Sequence, residues 1–145
     1  MAIPSGALVL VADGRKYLFL RNHGSPFEPV LEVEARHEKT NPATRDQGTD
    51  SPGRAAAANG TNRSAMEETD FHQLEEDRFA SETADLLCRR ALGGDFDKLV
   101  VVAPPRTLGE LRKHYKKAVT KRLVAEVPKD LTGHPVAAIA QLLGA

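Results

Sequence analysis

The strongest chemical signal in this sequence is a run of cations lying between two apolar segments. From residue 106 to residue 122, Arg106, Arg112, Lys113, Lys116, Lys117, Lys121 and Arg122 face a single acid, Glu110. Lys113, Lys116 and Lys117 are neighbours at helical spacing, and Arg112 adjoins Lys116. Clustered Lys and Arg suit phosphate contacts, because each neutralised phosphate releases condensed counterions. The same pattern also suits a solvated helix face, or a face paired against the acidic stretch 67–82. That stretch carries Glu67, Glu68, Asp70, Glu75, Glu76, Asp77 and Glu82. Tyr115 is the one aromatic interleaved with the cations, so base stacking is poorly supported. Arg45, Arg54 and Arg63 lie in a polar segment upstream and are further candidates for phosphate contact.

Other chemistries find less. Zinc needs three or four converging N, S or O ligands. His23, His37, His72, His114 and His134 include no pair at i+3 or i+4, and none has a nearby cysteine. Cys88 sits mid-helix between Leu87 and Arg89, where a small apolar filler is the ordinary role. There is no G-x-S-x-G nucleophile elbow. Phosphate cradles need a glycine-patterned turn between strand and helix, yet 103–108 holds two prolines and no glycine. Asp13 follows the first apolar run, where a hairpin turn accounts for it. The residues therefore give no catalytic, cofactor or metal site.

The elements that must position the cations belong to one domain. The chain has 145 residues, with 20 basic and 20 acidic side chains. Zero net charge argues against long-range steering of the whole molecule onto nucleic acid, though not against a local basic face. Apolar residues at 41% are enough for a core, and aromatics at 5% with no Trp leave it to Val, Leu, Ile and Ala. A single cysteine excludes an internal disulfide and suits a reducing compartment. The first apolar run has no basic segment before it and stops at Asp13, so neither a secretory signal nor a membrane span is expected. The expected location is the cytoplasm.

Residues 6–12 and 15–21 read as two strands joined at Asp13-Gly14, a strong hairpin signal. Residues 29–36 alternate, with Leu31, Val33 and Ala35 on one face, as a half-buried third strand does. The segment 37–69 has Met66 as its one large apolar residue, and cannot offset its own ordering entropy by burial. A long helix follows to Gly93-Gly94, with Phe71, Phe79 and Leu86 on one face, widened by Leu74 and Leu87. Residues 99–103 are continuously apolar, as in a strand buried on both faces. Thr107-x-x-Glu110 predicts a capping box for a second helix, with Leu108, Leu111 and Tyr115 inward. Residues 121–127 give a last strand, and Pro135 opens a terminal helix. The order β-β-β-α-β-α-β-α predicts an α/β fold: a mixed five-stranded sheet with helices packed on it.

Three blocks carry a family resemblance. Residues 96–112 read FDKLVVVAPPRTLGELR, residues 127–132 read VPKDLT and residues 71–80 read FHQLEEDRFA. With Ala12-Asp13-Gly14 at the first hairpin, they resemble the bacterial family of proteins required for attachment to host cells, over nearly the whole chain. That family resembles the central domain of archaeo-eukaryotic peptide-chain release factors, which implies a ribonuclease H-like layout. In release factors the loop before the long helix carries a Gly-Gly-Gln tripeptide for peptidyl-tRNA hydrolysis. The corresponding stretch here, 45–54, reads RDQGTDSPGR and lacks it. The resemblance thus implies a shared fold and a ribosome or structured-RNA surface, without termination activity. The expected protein is non-enzymatic, binds RNA or the ribosome, and affects attachment indirectly. The alternative is a protein-interaction module with an acidic partner or a second copy. Hydrolysis of tRNA esters or a nuclease activity is the third reading.

Overall fold

The computed structural model of the chain describes residues 1–39 and 61–145, with the backbone alone over 61–69. Five strands, β1 (Leu8–Ala12), β2 (Lys16–Asn22), β3 (Leu31–Glu38), β4 (Leu99–Val102) and β5 (Leu123–Val127), form one sheet in the order β3-β2-β1-β4-β5. β2 runs antiparallel to β1 and β3, whereas β4 runs parallel to β1 and β5. The described helices are α1 (Thr61–Leu92), α2 (Pro105–His114), α3 (Lys117–Thr120) and α4 (Val136–Gly144). The mixed α/β sheet expected from the sequence is therefore present. The element order gains one short helix, α3, between α2 and β5.

Alternation along the central strands sorts the helices into two layers. Leu8, Leu10 and Ala12 of β1 pack with Leu99 and Val101 of β4 against α1, α2 and α3. Val9, Val11, Val100 and Val102 point the other way, onto Ile139, Ala140 and Leu143 of α4. Both faces are covered, which is why these strands read as unbroken apolar runs. At the Asp13-Gly14 turn, Asp13 Oδ1 accepts the backbone N–H of Arg15 at 2.7 Å and of Lys16 at 2.8 Å. Gly14 serves a close approach: a Cβ there would lie 2.7 Å from the Glu76 side chain of α1. Gly94 ends α1 with a left-handed φ of 74°.

Three local expectations are corrected. First, β3 is an edge strand on which only Leu31 is buried. Its pairing slips between Phe19↔Ala35 and Leu20↔Val33, which leaves Glu34 as a bulge. The bulge breaks the alternation, so Val33 and Ala35 fall on opposite faces. Second, Phe71 and Leu74 are 40% and 61% exposed. The buried stripe of α1 is instead Phe79, Ala80, Thr83, Ala84, Leu87, Cys88 and Ala91. Small residues there let the helix sit close to the sheet, with Cys88 as filler. Third, the capping box is not made: α2 starts at Pro105 after Pro104, and Thr107 is buried. Proline at the first helical position starts the helix three residues earlier, with Pro104 as the N-cap in place of Thr107. The polar segment is also shorter than 37–69, since β3 runs to Glu38 and α1 starts at Thr61.

An arginine knot closes the β3 side against α1. Glu34 accepts from Arg21 Nε and Nη2 at 2.9 and 3.0 Å and from Arg90 Nη2 at 3.0 Å. Arg90 also pairs with Asp95 and lies 4.6 Å from the Phe19 ring centroid. The two guanidiniums hold the Glu34 carboxyl below the usual carboxylate range, Arg21 contributing most, against an opposing push from burial. Because the folded value is the lower one, Glu34 stabilises the fold above the unfolded value of 4.5. That contribution is lost as pH falls through the folded value. The stability difference between the parent chain and Glu34→Gln is expected at about 1–2 kcal/mol near neutral pH, shrinking as pH falls through the folded value; urea titrations across pH measure it. Leu87→Ala should cost about 2–5 kcal/mol, and Leu74→Ala less than about 0.5 kcal/mol, in the same assay.

Candidate polyanion-binding surface

Pro104-Pro105 ends β4 and starts α2, which turns Thr107, Leu108 and Leu111 into the core. At Tyr115 the backbone becomes extended (ψ 137°), and at Lys116 it is extended again (ψ 170°). The single turn of α3 is pinned by the fully buried Val119. Arg122 completes the anchor: its Nε and Nη1 donate to the carbonyls of Phe96 and Ala118, at 3.0 and 2.6 Å. The segment is thus a rigid bracket between two parallel strands, apolar inside and cationic outside.

The seven cations predicted from sequence divide by partner. Arg122 belongs to the fold, as just described. Arg112 reaches across to β5, where its Nε donates to Glu126 Oε1 at 2.9 Å. Lys113 pairs with Glu110 at 2.7 Å. This contact lowers the Glu110 carboxyl and raises the Lys113 ammonium. Arg106, Lys116, Lys117 and Lys121 are exposed, with no ion-pair partner among the described residues. On α2, Arg106, Glu110 and Lys113 share one stripe at i, i+4 and i+7, while Arg112 lies about 100° round the helix. Arg63 lies on α1, where the side chain is not described, and Arg45 and Arg54 fall outside the described residues.

The acidic face of α1 is occupied elsewhere. Glu75 and Glu82 pair with Lys39 at 3.6 and 3.4 Å, and Glu75 also accepts from Arg78. Glu76 packs over Gly14. Asp77 accepts from Gln73 at 2.7 Å, and its charge also acts on Lys113. None of Glu75, Glu76 and Glu82 forms an ion pair with a cation of the α2–α3 segment.

Glu126 is the residue that sequence reading missed. It lies in KRLVAEV, where a lone acid on a strand signals nothing, and its partner Arg112 is 14 residues away. Beside it Tyr115 is largely buried. Burial pushes the Tyr115 hydroxyl well above its ordinary value, and the Glu126 charge adds to the rise. Neither the Tyr115 hydroxyl nor Glu126 Oε2 makes a hydrogen bond of normal geometry, although Glu126 lies close enough to act on the hydroxyl as an acceptor.

The carboxyl ends of β1, β4 and β5 meet at a second polar point. Thr132 Oγ lies 2.8 Å from Asp13 Oδ2 and 2.9 Å from Asp130 Oδ1. Asp13 thereby both closes its turn and fastens the loop after β5. Among the described residues no three His, Cys, Asp or Glu side chains converge as a metal site requires.

The family whose model matches the chain is described as bacterial archaeo-eukaryotic release factor family 12, over residues 6–143. No curated protein matches the chain.

Tyr115→Phe removes a buried hydroxyl whose nearest acceptor, Glu126, is poorly aligned, so stability should change by less than about 1 kcal/mol. Chemical denaturation measures it. A loss above about 1 kcal/mol would show that the hydroxyl is bonded in solution.

Proposed function

The chain belongs to bacterial archaeo-eukaryotic release factor family 12, and from that premise we propose a non-enzymatic module that binds RNA or the ribosome through the α2–α3 cations. One observation carries this reading: Arg106, Lys116, Lys117 and Lys121 stand exposed, without a carboxylate partner among the described residues. Four such charges on one bracket supply phosphate contacts on a molecule of zero net charge. A non-catalytic role is supported by the sequence, which nowhere contains Gly-Gly-Gln. Asp13 is also engaged by its turn and by Thr132. No helix among the described residues is long and apolar enough to cross a membrane. In this reading the protein works in the cytoplasm, and any effect on host attachment is indirect, through translation or its regulation.

A second reading, a protein-interaction module, has its own observation. A groove of about 770 Å³ lies between α4 and the β2–β3 connection, lined by Phe27, Val30, Leu31, Val136 and Ala140. Phe27 is 77% and Val30 56% exposed.

Sedimentation with ribosomes at low salt tests the leading proposal. The parent chain is expected in the ribosomal pellet, and the variant Lys116→Glu/Lys117→Glu/Lys121→Glu is expected to bind at least about tenfold more weakly. Equal pelleting of the variant would remove the basis of the proposal. A pelleting defect of Phe27→Ser with the lysines intact would favour the protein-interaction reading.

A further inference from the structure

The cationic bracket carries charge and almost nothing else that reads a nucleic acid. Its two rings are Tyr115, turned inward with its hydroxyl buried, and His114, which is only partly exposed. Segment 104–122 contains no Ser, Asn, Gln, Phe or Trp. Of its two threonines, Thr107 is buried and Thr120 donates to the Lys117 carbonyl at 3.2 Å. No fully exposed ring is offered for stacking, and no amide or free hydroxyl for the edge of a base.

Resting on the polyanion reading, we infer that this surface takes the phosphate backbone of base-paired RNA and reads neither single strands nor base sequence. Single-strand binders recover the ordering of a flexible chain by stacking bases on aromatic rings, at about 1–3 kcal/mol per base. This bracket has no fully exposed ring. A duplex arrives with its bases already stacked on one another and its phosphates at fixed spacing. Point charges on long stems can then engage several phosphates together, with no ring and no base-edge contact. The stripe of Arg106 and Lys113, seven residues apart on α2, spans about 10 Å. Lys116, Lys117 and Lys121 extend the positive surface onto α3 and past its end.

Glu110 sets how many contacts form. It holds Lys113 in an ion pair at 2.7 Å, so a phosphate must displace a carboxylate to use that ammonium. Removing the Glu110 charge should add about one phosphate contact, visible as a salt slope steeper by about 0.9.

The test is fluorescence anisotropy of the full chain with labelled RNA. The probes are two 16-base-pair duplexes of unrelated sequence and one 16-nucleotide oligouridylate, each titrated over salt. Both duplexes should bind alike, within about threefold, and at least about tenfold tighter than the oligouridylate. Glu110→Gln should steepen the duplex slope, and Tyr115→Phe should leave every affinity unchanged. Oligouridylate binding as tightly as the duplexes overturns the inference, as does a preference above about tenfold between the two duplexes. Either result leaves the polyanion reading standing. Failure of all three probes to bind, or full binding by Lys116→Glu/Lys117→Glu/Lys121→Glu with its thermal midpoint unchanged, takes both readings down.

Discussion

All five residues of β1 are buried, so the central strand of the sheet has no solvent face. Leu8, Leu10 and Ala12 must find one apolar layer, and Val9 and Val11 another. β4 imposes the same demand beside it, and its parallel pairing with β1 requires a long crossover. That crossover contains α1, whose small buried residues let it lie close against the sheet. The return from β4 to β5 is also parallel and needs its own covering element. α2 and α3 are that element, so the cationic bracket exists because two neighbouring parallel strands need a lid.

The lid is asymmetric. Leu108, Leu111 and Val119 face inward, together with the Tyr115 ring. The polar residues left outside are nearly all basic, and the acids that could neutralise them are engaged. Glu75 and Glu82 hold Lys39, while Glu34 holds Arg21 and Arg90. Glu110 pairs with Lys113 and Glu126 with Arg112, and Glu110 also feels the charge of Arg106 one turn away. Overall neutrality therefore conceals a separation of charge, with an excess of acids around α1 and β3 and an excess of cations over α2–α3. Exposed pairs such as Lys113–Glu110 contribute little to stability, so the arrangement over α2–α3 bears on what the surface can hold.

The parts legible in the sequence were those fixed by burial on both sides. Residues 8–12 and 99–102 announced themselves as unbroken apolar runs, and the cationic run at 106–122 was plain from composition. Where a one-residue detail or a distant partner decided the outcome, pattern reading failed. The Glu34 bulge reversed half of β3, and the partners that hold Glu34 there are arginines brought from β2 and α1. Phe71 and Leu74 keep helical spacing with Phe79, but the residues buried against the sheet begin at Phe79. Arg122 looked like one more surface cation, whereas two backbone carbonyls from separate elements hold it. The roles of Arg112 and Lys113 depended on Glu126 and Glu110, and only the first of those contacts crosses between elements.

The central claim is that the outer side of α2–α3 is where a polyanion sits, and residue-resolved NMR tests it most directly. Adding a short RNA helix to isotopically labelled protein at low ionic strength should shift amide signals between residues 105 and 121, leaving those of α4 and the β2–β3 connection in place. Shifts centred on Phe27, Val30 and α4, with 105–121 silent, would contradict the account.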